Sequence, residues 1–194
     1  MPRFITGAFY IQFIYDCLLM MKRFAGDLFA GAQLSPANKQ QVVHAFDVDS
    51  TLTADPYGPQ PVITGKDHYF DLARDYPANE AVAELARMLH SKGDAIAIAT
   101  ARPAERLQET MDWLNRHNIP HDQVILSTGE EASGVAKQAM LQKLQDDYKM
   151  VGTLFDDSPF NIEGAELQGV DAVHLRTNDA YWNQHPEKVW KYPR

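Results

Sequence analysis

The feature that most constrains the fold is an alternation of short apolar runs with segments of helical periodicity, which begins near Gln41. Two of the runs, Val42–Phe46 and residues 95–99, have the length and mainly apolar composition of buried strands. The segments between the runs carry apolar residues at helical spacing. Strands that alternate with helices build a parallel sheet covered by helices. The sequence therefore predicts an α/β fold.

The predicted elements extend to residue 175. Further strands are expected at 124–126, 150–155 and 170–175, with helices at 79–93, 103–114, 135–144 and 159–167. Asn79 is the expected N-cap of the first helix, and Pro103 opens the second. The expected architecture is a three-layer α/β/α Rossmann-like sandwich with a mainly parallel central sheet. Ligands of such open sheets bind at the carboxyl ends of the strands.

A chain of 194 residues that is 45% hydrophobic can bury one sizeable core. We expect one main domain over residues 41–180, with a short cap insertion at 53–77 that is rich in proline and aromatic residues. Residues 1–40 form a predicted N-terminal apolar helical extension, and residues 181–194 a predicted C-terminal tail. The single cysteine, Cys17, cannot form an intramolecular disulfide, so a reduced, cytoplasmic setting is expected.

The N-terminal stretch at 4–21 is apolar but is interrupted by polar residues, among them Gln12 and Asp16. It falls short of the roughly 20 predominantly apolar residues that a membrane span needs, so no transmembrane segment is expected. A secretory signal or a membrane-surface role stays open as an alternative, because Ala30-Gly31-Ala32 offers a small-residue cleavage pattern.

The net charge of −8 gives no general attraction to a nucleic-acid backbone, so no stable non-specific nucleic-acid binding is expected. A metal ion and one or two basic side chains can still hold one phosphate on an acidic protein. A phosphorylated nucleic-acid end therefore stays open as a substrate. The sequence does not determine the oligomeric state.

Two carboxylates, Asp47 and Asp49, leave the end of the first predicted strand. Charged groups at the end of a buried strand must be paired or must bind metal. Mg²⁺ prefers oxygen ligands and keeps waters and substrate phosphate in its shell. A carboxylate can also attack phosphorus, and a neighbouring carboxylate can move the proton. The pair predicts metal-assisted phosphoryl chemistry.

The segment resembles the first motif of the haloacid dehalogenase superfamily, an apolar strand followed by Asp-x-Asp-x-Thr, which Asp47, Asp49 and Thr51 match. The resemblance implies that Asp47 is the nucleophile and a metal ligand. It implies that Asp49 protonates the leaving oxygen and then activates water, while its main-chain carbonyl touches the metal. Ser50 stands where many members have glycine.

The remaining motifs follow in order. Thr100 ends an apolar strand, and the resemblance implies that its hydroxyl holds a phosphoryl oxygen. The motif lysine is Lys137 or Lys143, of which Lys137 is preferred for its place in the helix. Asp156 and Asp157 follow a later apolar strand, and the resemblance implies that both serve the metal, Asp157 through water or by orienting the lysine.

Arg102 lies two residues beyond Thr100, where a guanidinium could clamp a phosphate. Thr100-Ala101-Arg102-Pro103, followed by Thr110, resembles the phosphatase domain of phage-type polynucleotide kinases, which remove 3′ phosphates from nucleic-acid ends. Ser127 departs from that pattern, and the chain contains no kinase phosphate-binding loop. Arg102 is expected to bind the substrate, as are Ser50 and Thr51.

We therefore expect a Mg²⁺-dependent phosphomonoester hydrolase that works through an aspartyl-phosphate on Asp47. The expected substrate is a nucleotide or a nucleic-acid 3′-phosphate end. The alternatives are a phosphatase of small metabolites, such as sugar phosphates, and a non-catalytic phosphate-binding protein with the same fold.

Overall fold

The computed structural model describes residues 29–54, 66–128 and 133–175. The strands are β1 (Phe29–Gln33), β2 (Val42–Phe46), β3 (Ala95–Pro103), β4 (Gln123–Ser127), β5 (Met150–Asp156) and β6 (Ala172–His174). The helices are α1 (Lys66–Ala73), α2 (Glu80–Ser91), α3 (Leu107–Arg116), α4 (Ser133–Asp147) and α5 (Pro159–Leu167). A kinked helical turn, Val48–Leu52, follows β2. None of the helices in these ranges is long and apolar enough to cross a membrane.

The strands of the described residues form one sheet in the order β1-β4-β3-β2-β5-β6. Strands β2 to β6 run parallel to one another, and β1 pairs antiparallel with β4. The predicted α/β fold with a mainly parallel sheet is confirmed. Because β2 lies between β3 and β5, the carboxyl ends of these three strands meet at the middle of one sheet edge.

The two faces of the sheet bury different side chains, as the strand period of two requires. On β3, the alanines at positions 95, 97 and 99 pack in one cluster with Met140 and Leu144 of α4. Ile96 and Ile98 point to the other face and pack with residues of α2 and α3. The small alanines leave room for α4 to approach the sheet closely. This packing places Lys137 of α4 at the carboxyl ends of the strands.

Residues 29–33 correct one expectation, because they form strand β1 and not part of a helical extension. All five residues of β1 pair with β4, so β1 covers the outer side of β4, which would otherwise be the last strand of the parallel sheet. A Cβ on Gly31 would lie 1.9 Å from the Val124 carbonyl oxygen, so only glycine fits at this approach. The remaining residues of the predicted extension, 1–28, and the predicted tail lie outside the described residues.

The predicted cap insertion, residues 53–77, contains a helix, α1, that the sequence pattern did not predict. Residues 55–65 of the insertion lie outside the described residues. Tyr69 and Tyr76 are buried in a small aromatic cluster with Phe70. The Trp113 indole N–H donates to the Tyr76 carbonyl oxygen at 2.9 Å, so this contact fixes the end of the insertion on α3.

Two helix starts also differ from expectation. Asn79 precedes α2, but its side chain makes no capping hydrogen bond. Its main-chain carbonyl accepts from the N–H groups of Val82 and Ala83 instead. Pro103 ends β3, and a 3-10 turn, Ala104–Arg106, separates it from α3.

We predict that Trp113→Phe destabilises the protein by about 2–4 kcal/mol, because the buried indole loses its hydrogen bond and leaves a cavity. Chemical denaturation followed by far-ultraviolet circular dichroism measures the change. Gln108→Ala, at an exposed position of the same helix, should alter stability by less than about 0.5 kcal/mol. Equal stability of the two variants would contradict the structural role of the indole.

Candidate active site

The candidate site lies at the sheet edge where β2, β3 and β5 end. Asp47 follows β2 directly, Thr100 lies near the end of β3, and Asp156 is the last residue of β5. The Asp47 N–H donates to the Phe155 carbonyl oxygen at 3.0 Å, so the pairing of β2 with β5 continues into the site. The predicted residues are thus brought together by strand order.

Lys137 of α4 connects these strand ends. Its ammonium Nζ lies 2.7 Å from Asp47 Oδ1 and 2.9 Å from Asp156 Oδ2. It also donates to the main-chain carbonyl of Ala99, the residue before Thr100. The lysine side chain is 1% exposed, so these contacts form away from bulk water. Lys143, the other candidate, makes a partly exposed ion pair with Asp147 on the same helix.

Three acids, Asp47, Asp156 and Asp157, each place one carboxylate oxygen within 4.8 Å of the others. All three are buried, and Lys137 supplies one positive charge to the group. When they are ionised, three acids this close together repel one another, in a setting where buried charge is costly. Carboxylate oxygens suit a hard divalent cation, so this donor set fits Mg²⁺. The Asp49 carboxylate is not part of this group.

Charges and burial shift the pKa values of the central pair. Burial raises the pKa of Asp47 to about 7, with Lys137 opposing and Asp156 and Asp49 adding to the rise. Burial lowers the pKa of Lys137, but the charges of Asp156 and Asp47 outweigh it and raise that pKa above its usual value. The lysine therefore stays charged, while Asp47 needs further positive charge to remain fully ionised near neutral pH.

The Asp49 carboxylate has a different cationic partner. Arg102 Nη2 lies 2.7 Å from Asp49 Oδ1, and Nε lies 3.0 Å from Oδ2. Arg102 is buried, although the sequence analysis placed it at the phosphate. The Asp49 side chain is 19% exposed. The two carboxylates of the first motif thus lie in separate environments: Asp47 pairs with Lys137, and Asp49 pairs with Arg102. The predicted substrate contact of Arg102 stays a prediction.

The turn that follows these carboxylates is sharply bent at Ser50, which has a φ of 61°. This left-handed conformation favours glycine and explains in physical terms why a glycine suits this position. The Ser50 N–H donates to Thr53 Oγ1 at 2.8 Å. Thr51 is fully buried, and its hydroxyl has no hydrogen-bond partner among the described residues. The predicted substrate contacts of Ser50 and Thr51 remain untested.

Asn161 is a residue of the site that the sequence analysis missed. Its Nδ2 lies 3.0 Å from both carboxylate oxygens of Asp156. The Ser158 N–H adds a bond to Asp156 Oδ1 at 2.8 Å. With Lys137, these donors hold the Asp156 carboxylate in one orientation. The available signal was an amide four residues after the second acid, Asp157, in a helix that Pro159 begins.

Comparison with known proteins supplies independent findings. The family profile described as "PITM 1-3, LNS2 domain" matches residues 43–156, more than half of the chain. No curated protein sequence matches the chain.

Solved structures share the fold at low sequence identity. A chain of the Pnkp1/Rnl/Hen1 RNA repair complex is 19% identical with a TM-score of 0.56, and the match covers 75% of this chain and 45% of that one. The present chain therefore spans less than half of that neighbour. The class C acid phosphatase from Bacillus anthracis is 14% identical with a TM-score of 0.56, over 80% of this chain and 82% of that one. These findings confirm the predicted fold and the superfamily resemblance.

We predict that Lys137→Met destabilises the protein by about 3–5 kcal/mol in metal-free buffer, because Asp47 and Asp156 lose their buried partner. Lys143→Met is the matched control, since it removes a partly exposed pair worth less than about 1 kcal/mol. Denaturant unfolding of both variants in the presence of a chelator measures the difference. Similar losses of unfolding free energy in the two variants would show that Lys137 does not stabilise the buried acids.

Proposed function

The chain belongs to the family described as PITM 1-3, LNS2 domain, and on that premise we propose that it hydrolyses phosphate monoesters through a covalent intermediate on Asp47. The observation that carries the proposal is the buried group of Asp47, Asp156, Asp157 and Lys137. Burying several acids together costs stability, and ligands of open α/β sheets bind at the carboxyl ends of the strands, so this buried group is typical of a reaction site.

In the first step, an Asp47 carboxylate oxygen attacks phosphorus and the bond to the ester oxygen breaks. The leaving oxygen takes a proton from Asp49. In the second step, water attacks phosphorus, and Asp49 takes the water proton. The bond between phosphorus and Asp47 then breaks, which releases inorganic phosphate and restores both carboxyl groups. Lys137 holds Asp47 in place and offsets its charge through both steps.

A divalent metal fits the same proposal. Asp47, Asp156 and Asp157 would hold Mg²⁺, together with the main-chain carbonyl of Asp49. The ion supplies charge neutralisation for the phosphoryl oxygens when it is bound. The residues of the chain keep the carboxylates in place for it, because Lys137, Asn161 and the Ser158 N–H fix Asp156.

The proposed substrate is a nucleotide or a nucleic-acid 3′-phosphate end. Support comes from Arg102 and Thr110, which match the polynucleotide kinase pattern, and from the likeness to a chain of an RNA repair complex. A panel of mononucleotides, 3′- and 5′-phosphorylated oligonucleotides, sugar phosphates and p-nitrophenyl phosphate tests the proposal. Preferred release from 3′ ends supports it, and preferred release from sugar phosphates favours a small-metabolite phosphatase. No release from any substrate would favour a non-catalytic phosphate-binding protein.

We predict that Asp47→Asn reduces phosphate release to less than about 1% of the wild-type rate, because the amide keeps the shape of the side chain but cannot attack phosphorus. Circular dichroism should show an intact fold. Asp112→Asn makes the same chemical change at an exposed position and should leave the rate unchanged. An Asp47→Asn variant with more than a few per cent of wild-type activity would remove Asp47 from the nucleophile role.

We also predict that activity requires Mg²⁺ and that excess Ca²⁺ inhibits it. Mg²⁺ binds in octahedral geometry at about 2.0–2.1 Å, whereas Ca²⁺ accepts more oxygens, often both oxygens of one carboxylate. Ca²⁺ could therefore occupy the Asp47 oxygen that attacks. Phosphate release after chelation and stepwise return of each ion measures this. Full activity in the chelator, or equal rates with both ions, would contradict metal assistance by this cluster.

A further inference from the structure

The Arg102 side chain is buried, and it donates hydrogen bonds to two different side chains, Asp49 and Thr110. Its side chain is 1% exposed, with Nε and Nη2 on the Asp49 carboxylate. On the other side, Nη1 donates to Thr110 Oγ1 of α3 at 3.3 Å, and Thr110 is fully buried. We propose that Arg102 and Thr110 are positioning residues that hold Asp49 in the orientation needed for proton transfer. The inference rests on the proposed phosphatase activity.

The backbone of β3 explains why Arg102 points at Asp49. Along β4, Leu126 pairs with Thr100 and the next residue, Ser127, pairs with Pro103. Two residues of β3 are therefore extra, and a bulge of this kind redirects side chains. Ala101 is exposed and Arg102 is buried as a result. In this position the guanidinium reaches the Asp49 carboxylate.

The guanidinium edge that faces Asp49, Nε with Nη2, is one that an arginine uses for bidentate binding. Nε and Nη2 both bind the carboxylate, so this edge is not available to clamp a phosphate in the same arrangement. Burial lowers the pKa of Arg102, but the Asp49 charge and hydrogen bonds outweigh it and raise that pKa above its usual value. A buried, charged arginine needs its carboxylate, and the carboxylate is thereby held still.

The contacts also distinguish the two oxygens of Asp49. Oδ1 accepts from Nη2 at 2.7 Å and from Nε at 3.2 Å, whereas the one donor to Oδ2 among the described residues is Nε, at 3.0 Å. Oδ1 is therefore the anchored oxygen, and Oδ2 is the oxygen that carries the transferred proton. Asp49 is 19% exposed while Arg102 is 1% exposed, so the carboxyl group can reach a substrate from its fixed support.

The test uses phenyl phosphate and p-nitrophenyl phosphate, which differ mainly in how much the leaving oxygen needs a proton. Arg102→Lys keeps the charge but cannot form the fork. We expect kcat/KM to fall about 100-fold for phenyl phosphate, as expected for a displaced catalytic group. For p-nitrophenyl phosphate the fall should be less than about tenfold, because that leaving group departs without much acid assistance. In an Asp49→Asn background, Arg102→Lys should add almost no further loss.

Thr110→Val keeps the shape of the threonine and removes only the hydroxyl behind Arg102, so it serves where Arg102→Lys fails to fold. Thr110→Val should lower kcat/KM for phenyl phosphate by about fivefold, and by less for p-nitrophenyl phosphate. Thr110→Ser, which keeps the hydroxyl, should restore kcat/KM. Arg106→Lys is the matched control, since Arg106 pairs with Asp71 and Glu109 and not with Asp49. It should change neither substrate's kcat/KM by more than about twofold.

Three results would overturn the inference while the wild-type protein stays active. They are equal losses on the two substrates, a loss confined to KM, which indicates a phosphate clamp, and full additivity with Asp49→Asn. A wild-type protein that releases no phosphate from either substrate would instead overturn the proposed function itself, and the inference with it.

Discussion

The ammonium group of Lys137 is the contact on which the site depends. It reaches from α4 to Asp47 after β2, to Asp156 at the end of β5, and to the Ala99 carbonyl of β3. A buried cation requires acids, and buried acids require a cation, so neither side of this group is stable alone. The alanines of β3 let α4 approach closely enough for the lysine to reach the strand ends. Packing of the core and charge balance at the sheet edge are thus coupled.

The two carboxylates of the first motif are two residues apart but have separate surroundings. Asp47 is buried and pairs with Lys137, whereas Asp49 is partly exposed and pairs with Arg102. The bend at Ser50 follows them and turns the chain back into the core. Different partners for two similar side chains are the usual way in which proteins assign them different roles. In the proposed reaction, one carboxylate attacks phosphorus and the other moves the proton.

Much of the fold could be predicted from local pattern. The mainly apolar run of β2 and the apolar run that opens β3 give a strong strand signal, and both strands begin where expected. Strand β1 gave no such signal, because Ala30, Gly31 and Ala32 are small and lack β-branched neighbours. It is a strand because β4 offers a complete edge to pair with. Helix α1 lies in a proline-rich insertion and was missed because tertiary contacts of Tyr69 and Tyr76 fix its place.

The sequence by itself determined which residue types end the strands, because strand and helix periods are local and the polar residues that follow them can be read directly. Only the tertiary structure decided which charge meets which. Arg102 lies 53 residues from Asp49, and Lys137 lies 90 residues from Asp47. These pairings depend on the order β3-β2-β5 and on the bulge in β3. Strand order and bulges arise from contacts between distant segments, and no local pattern of residues specifies them.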